Sequence, residues 1–562
     1  MFQLKRGRKP QLLTRSALAI SLACGAFTGS AMADEIVHDA EYYILEAQHG
    51  KKWAADDKKM DAKLAEFRKK NNGKSPNILY VLVDDLSFGE MGIPELNYIR
   101  GSKTPNINKF ADESLSFMRM YTEPSCTPSR VAMMTGRHPV RNGLGEVKAT
   151  VAGEALAASE VTIAEVLSEA GYNTVHIGKW HMGDIAEGYP HNQGFDYASF
   201  PIHQQVLLGF MTPEADQSHA MQGWHADSGN DQFALDDQFK PGGLVYGIEG
   251  RKGEMAREVD FTAGEEWTQK HYDAMNEKYQ RQTIEQLQRL AKDDKPFFLQ
   301  YWPMIPLDFD RSSFDSFETS NGGTGVESLR ILDGWFGEIM AEVNRLGLAE
   351  NTLVVLMADN GRFRQFDNIL GFSQMIYRGG KVDTSEGAVR VNAFARWPGM
   401  IEADKLAGDM IHITDLYTTF ANIGNATKYI PTDRVIDGLD QTTLFLDGEG
   451  NGRRDYAFIY SGNTLRSIVK QKYKLELPAP GQPGVSAKIY DLQRDPGEES
   501  PMTEIALWAS ASYQDMTQRH LMQMKKYPNA PVGKDRPYSG IENLRPESKK
   551  MVEAFMSWSE QE

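Results

Sequence analysis

Residues 77–83 read Asn-Ile-Leu-Tyr-Val-Leu-Val, and Asp84 and Asp85 follow at once. The run is apolar, of strand length and without polar alternation, which suits a strand covered on both faces. A second run of this kind, TLVVLMA at 352–358, stops at Asp359-Asn360-Gly361. PFFLQYW at 296–302 and TVHIG at 174–178 read as two further strands. Between them lie helical patterns, VTIAEVLSEAG at 161–171 and YQRQTIEQLQRLAK at 279–292. Strands alternating with helices predict an α/β fold built on a mostly parallel central sheet.

Outward from this core the texture changes. Residues 34–75 are rich in charge and helix formers and predict a peripheral helix ending near Asn71-Asn72-Gly73. Residues 200–260, rich in Gly, Asp and Gln, predict a long binding loop. Beyond about residue 430, YAFIYS, LRSIVKQKYKLEL and AKIYDL predict a smaller sheet-plus-helix unit. The domain reading is therefore 1–33 leader, 34–75 helical extension, 76–430 main domain and 431–562 C-terminal subdomain.

The leader is basic (Lys5, Arg6, Arg8, Lys9, Arg15), then apolar (SALAISLACGAF), then small-x-small at Ala31-Met32-Ala33. That is the pattern of a secretory signal peptide and predicts export to the periplasm or beyond. No run of 18 apolar residues occurs, so no transmembrane helix is expected. Loss of the leader removes five positive charges and moves the net charge from -16 to about -21. A chain this acidic repels phosphates and is not expected to bind nucleic acid. Cleavage also removes Cys24; lipidation of Cys24 is the rival reading, although Ser21 stands where lipoprotein signals prefer leucine. Cys126 is then the sole cysteine, and no disulfide framework is possible.

In parallel α/β sheets, ligands gather outside the carboxyl ends of the strands. Asp84, Asp85, Asp359 and Asn360 fall at two such ends. Either pair alone would suit a turn. Together they offer only oxygen donors and predict a hard cation, Ca²⁺ or Mg²⁺, in preference to zinc. Cys126 opens Cys-Thr-Pro-Ser-Arg, with Thr127 a candidate N-cap and Pro128 a first helical residue. A helix N-terminus attracts anions and lowers a thiol's pKa, and Arg130 adds a positive charge nearby. Lys179 and His181 follow a predicted strand, and Arg378-Gly379-Gly380-Lys381 carries a lysine on a flexible turn. Gathered together, these cations describe a pocket for a small anion.

These motifs resemble the sulfatase family of the alkaline-phosphatase-like superfamily. Its C-x-P-S-R signature is complete at Cys126–Arg130, with Thr135-Gly136-Arg137 following. NILYVLVDD, TPNINKFA, GYNTVHIGKWHMGD, NQGFDY, ADNG, YRGGK, EGAVRV, ARWPG and IYDLQRDPGE run in the family's order across about 76–500. The resemblance implies an alkaline-phosphatase-like fold and a Cys126 that a maturation enzyme oxidises to Cα-formylglycine, whose hydrate is the nucleophile. It implies that Asp84, Asp85, Asp359 and Asn360 hold Ca²⁺ or Mg²⁺, which residue 126 also touches. Arg130, Lys179 and His181 would orient the hydrate, His181 would act as the base that expels sulfate, and Lys381 would bind sulfate and assist the leaving oxygen.

One departure stands out: Pro306 is followed by Leu307 where the family usually has a histidine. Lys381 alone, or a group from the 200–260 loop such as His203, would then serve the leaving group. The expected substrate is a sulfate monoester, aryl or carbohydrate. A phosphonate or phosphodiester hydrolase and a non-catalytic binder of sulfated ligands are the alternatives.

Overall fold

The computed structural model describes residues 35–99, 101–146, 154–183, 185–201, 246–261, 263, 269–304, 324–362, 376–481, 486–502 and 507–530. The leader, His203, Leu307 and most of the expected 200–260 loop lie outside them.

The strand that opened the sequence reading forms over Asn77–Val83 (β1), and Ile78 through Val83 are buried. Chain order then gives β2 (Leu115–Tyr121), β3 (Asn173–Gly178), β4 (Tyr197–Phe200), β5 (Tyr246–Arg251), β6 (Arg257–Asp260), β7 (Phe297–Trp302), β8 (Thr352–Ala358), β9 (Arg390–Arg396) and β10 (Lys405–His412). They make one ten-stranded sheet in the order β10-β2-β9-β8-β1-β7-β3-β4-β5-β6. The run from β8 through β1, β7 and β3 to β4 is parallel. β9 lies antiparallel to β8 and β2, and β5 and β6 close the far edge antiparallel. The sheet is thus mixed around a parallel centre. Residues 246–260, expected as loop, supply that edge hairpin.

Side-chain alternation along β1 sets two faces. Tyr80 meets Phe420 of the helix Asp415–Ile423, with ring centroids 5.8 Å apart. Val81 and Val83 face the other way and share a small cavity with Ile107, Leu329, Leu332 and Phe336. Those partners belong to the helices Pro105–Asp112 and Thr324–Arg345. Helices therefore cover both faces, which is why β1 needs no polar residue inside it.

Toward the C-terminus, Tyr456–Ser461, Thr464–Lys470, Tyr473–Glu476 and Lys488–Asp491 form a four-stranded antiparallel meander. Its buried Tyr456, Phe458 and Ile468 pack with Leu45 and Trp53 of the long helix Ala40–Lys70 and with Tyr513 of the helix Leu507–Lys526. The later turns of that long helix, through Met60, Leu64 and Phe67, reach the main core instead, where Phe67 meets Trp397 edge-on. Among the described residues no helix is long and apolar enough to cross a membrane.

Candidate active site

β1 and β8 are parallel neighbours in register, so Val83 sits opposite Ala358 and the residues after them emerge side by side. Asp359 N–H donates to the Val83 carbonyl at 3.0 Å, and Asp85 N–H donates to Asp359 Oδ1 at 3.0 Å. Asp85 takes a positive φ of 51°, a conformation that costs a non-glycine residue energy and turns its carboxylate back over the strand ends.

The helix that carries the thiol begins at Cys126 itself. Ser125, extended at φ -161° and ψ 170°, is the N-cap, and its carbonyl accepts the first helical bond from Ser129 N–H at 3.0 Å. The expected Thr127 cap is thus corrected by two residues, and Pro128 lies inside the first turn. Cys126 Sγ, fully buried, approaches Asp85 Oδ1 at 3.5 Å. One ligand atom from each of Asp84, Asp85, Cys126 and Asp359 lies within 4.8 Å of the others.

Three cations meet these carboxylates. Arg130 spans Asp84 Oδ1 and Asp359 Oδ2 at 2.9 Å each, lies over the Trp302 ring at 4.9 Å, and donates to the Lys179 carbonyl at 3.0 Å. Lys179 Nζ donates to Asp84 Oδ1 at 2.7 Å. It leaves β3 through Gly178, whose φ of 102° is open to glycine and where a Cβ would lie 2.0 Å from the Trp302 carbonyl. His181, two residues on and buried, holds a positive φ of 61°. Lys381 Nζ bridges both Asp85 oxygens, at 2.7 and 2.8 Å, and Cys126 Sγ at 2.8 Å. Its backbone is fixed by Lys381 N–H to the Arg362 carbonyl at 2.9 Å and by Val382 N–H to the Pro124 carbonyl at 2.7 Å. Val382 pays for that second bond with a φ of 68°, unusual for a β-branched residue.

The charges divide unevenly. Burial alone would raise the Asp84 carboxyl, but Lys179, Arg130 and Lys381 hold it well below the usual range. Burial, joined by the Asp84 charge, pushes Asp359 up to about 7 despite Arg130. For Lys381 burial works against the charge, yet the carboxylates of Asp85, Asp84 and Asp359 keep the ammonium well above its ordinary value. The thiol departs from expectation. Burial and then the Asp359, Asp84 and Asp85 carboxylates raise Cys126, so its helix position does not make it a thiolate here.

The donor set fits a hard divalent cation. Three carboxylates converge, and Asn360 donates through Nδ2 to Asp85 Oδ1 at 2.7 Å while its own Oδ1, buried, finds no hydrogen-bond partner. A buried amide oxygen left in that state, beside carboxylates, is a ready metal ligand.

The structure also brings in residues that the sequence reading passed over. Arg362, directly after Asn360-Gly361, pairs with Glu90 at 2.8 Å, and its backbone N–H donates to Ser87 Oγ at 3.1 Å, fixing the loop that holds Lys381. Burial raises the phenol of Tyr272, on the helix Gln269–Leu290, and the Asp84 charge adds to the rise. Arg362 was signalled by its place after a strand-end motif; Tyr272 had no local signal.

A family model described as Sulfatase matches residues 76–426. N-acetylgalactosamine-6-sulfatase of Mus musculus is 28% identical, covering 79% of this chain and 84% of its own. Arylsulfatase A of Homo sapiens is 32% identical, covering 76% and 83%. The crystal structure of PsFucS1 sulfatase from Pseudoalteromonas sp. superposes with a TM-score of 0.70 at 25% identity, covering 84% of this chain and 95% of that one. With a family model over more than half of its length and a relative 32% identical over 76% of it, the chain belongs to the sulfatase family and is a sulfuric ester hydrolase.

Proposed function

We propose that this enzyme is a formylglycine-dependent, exported sulfatase acting on a sulfate monoester of a carbohydrate or a phenol. The observation that carries the reading is the meeting of Cys126, Lys381 and Asp85 within hydrogen-bond reach at the tips of two parallel strands. The name of the galactosamine-sulfate relatives favours a sugar ester over an aryl one.

A divalent cation held by Asp84, Asp85, Asp359 and Asn360 supplies Lewis-acid stabilisation of negative oxygens. The chain's own groups do the rest. Residue 126, matured to an aldehyde hydrate, gives up a proton to the adjoining Asp85 carboxylate and attacks the ester sulfur through the resulting oxygen. The bond from sulfur to the alcohol oxygen breaks, and Lys381 neutralises the departing alkoxide. His181 then takes the proton of the second hydroxyl, the carbon–oxygen bond to sulfate breaks, and the aldehyde returns. Arg130 and Lys179 keep Asp84 charged and Arg130 holds Asp84 and Asp359 in place, so little reorganisation accompanies the charge that develops. Splitting one displacement into two lowers each barrier.

Because Cys126 is fully buried, a maturation enzyme must reach its motif before folding is complete. Cys126→Ala is expected to abolish hydrolysis of a chromogenic aryl sulfate, and full activity in that variant would end the proposal. Mass analysis of the peptide around residue 126, from a host that matures sulfatases, is expected to show conversion of the thiol to an aldehyde. Matched sulfate and phosphate esters at equal concentration test the ester class, and N-terminal sequencing of the exported protein is expected to start at Asp34.

A further inference from the structure

A second cluster lies behind the helix Cys126–Thr135. Glu123 stands three residues before Cys126, His138 follows the helix's C-terminal Gly136-Arg137, and His412 ends β10 opposite Tyr121. All three are buried, each about 1% exposed. Glu123 Oε1 lies 2.8 Å from His138 Nδ1 and 4.0 Å from His412 Nε2. One donor atom from each lies within 4.8 Å of the others.

Hydrogen bonding does not satisfy this group. His412 Nδ1 lies 2.9 Å from Thr414 Oγ1 and accepts from Thr414 N–H at 3.3 Å, which pins the ring and turns Nε2 toward Glu123. That Nε2 has no hydrogen-bond partner, and neither has His138 Nε2. A proton shared between Glu123 and His138 Nδ1 would satisfy that contact and still leave both Nε2 nitrogens bare in a dry interior, where orphaned polar atoms are rare. The neighbouring charges are already spoken for: Arg141 pairs with Asp437 at 2.7 Å and Arg454 with Asp415 at 2.6 Å.

We propose that Glu123, His138 and His412 form a second cation site, for a borderline-soft ion such as Zn²⁺. Two imidazoles and one carboxylate are a zinc donor set, whereas the all-oxygen group at Asp84, Asp85, Asp359 and Asn360 selects calcium or magnesium. Bonds of about 2.0–2.2 Å in tetrahedral geometry set donors about 3.3 Å apart. The Glu123–His138 contact has to open by about 0.5 Å and the Glu123–His412 contact to close by about 0.7 Å, both within reach of small side-chain rotations. The three ligands bracket the helix that presents residue 126 at both ends and tie it to β10, so the ion is a structural clamp on the nucleophile's support. The site is independent of the sulfatase chemistry, and its failure would leave that reading untouched.

The test uses the full-length matured protein, stripped with a chelator and reloaded with ZnCl₂ in the presence of excess CaCl₂. About one zinc per chain is expected by elemental analysis, with a raised Tm. Diffraction at the zinc edge is expected to place an anomalous peak among Glu123, His138 and His412. His412→Phe is expected to weaken zinc binding by about 100-fold or more while calcium binding persists, which also reports that the variant is folded. A zinc peak confined to the Asp84–Asp359 group, no peak in the wild-type protein, or unchanged zinc affinity in the folded variant would overturn the proposal. If the variant does not fold, the wild-type anomalous map decides alone.

Discussion

Lys381 holds the two oxygens of Asp85 that the proposed divalent cation would require, which gives the sign of a measurable effect. Its ammonium lies 2.7 and 2.8 Å from them. At an effective dielectric of about 20, unit charges this close attract by about 6 kcal/mol. The cost of burying both groups offsets most of that attraction, and about 2 kcal/mol remains as the net competition. Lys381→Met removes the competitor with little change in length. It also removes a positive charge that would repel the bound cation, so both effects act in one direction. Calcium affinity is expected to rise about 30-fold. Isothermal titration of CaCl₂ into chelator-treated wild-type and variant protein measures this, with circular dichroism as the control for folding. Turnover of an aryl sulfate is expected to fall by about 10²–10³ in the same variant. General damage to the site would weaken both. Unchanged or weaker calcium binding by a folded variant would refute the reasoning.

Two further expectations concern stability. Lys474, buried in the small sheet, bridges Glu386 at 3.2 Å and Glu498 at 2.9 Å, so Lys474→Met leaves two buried carboxylates facing each other. A loss of about 3–5 kcal/mol is expected from urea unfolding, and a loss below about 1 kcal/mol would contradict it. Burial lowers the His176 imidazole to about 3, so the folded protein leaves it neutral while the unfolded chain protonates it below about pH 6.5. Its contribution is present at neutral pH and is lost as pH falls from about 6.5 toward 3, by up to about 1.4 kcal/mol per unit. Urea midpoints near pH 7 and pH 5 are expected to show a shallower dependence in His176→Asn, and an equal slope would sink this account.

Much of the fold was legible because burial leaves a one-dimensional trace. β1 and β8 formed over the same residues that the apolar runs marked, since a strand covered on both faces tolerates no polar alternation. The edge hairpin was not legible. The outer strand Arg257–Asp260 reads REVD, and an exposed edge asks for no apolar pattern; Tyr246–Arg251 reads YGIEGR, buried over 247–250 but too rich in glycine and charge to show one. Nor was the cap, for Ser125 and Thr127 have the same capping chemistry and only the extended backbone at Ser125 chose between them.

By itself, the sequence determined the parts: which strands are buried, which acids stand at their ends, and that a cysteine opens a helix. These depend on contacts with near neighbours in the chain. The tertiary structure alone decided who meets whom. Lys381 reaches Cys126 across 255 residues, and Asp359 reaches Arg130 across 229. The thiol's pKa rose for the same reason, because burial in the tertiary fold, and then carboxylates delivered by two other strands, outweigh the local helix end. Strand order brings those charges together, and electrostatic energy follows distance through space, not separation along the chain.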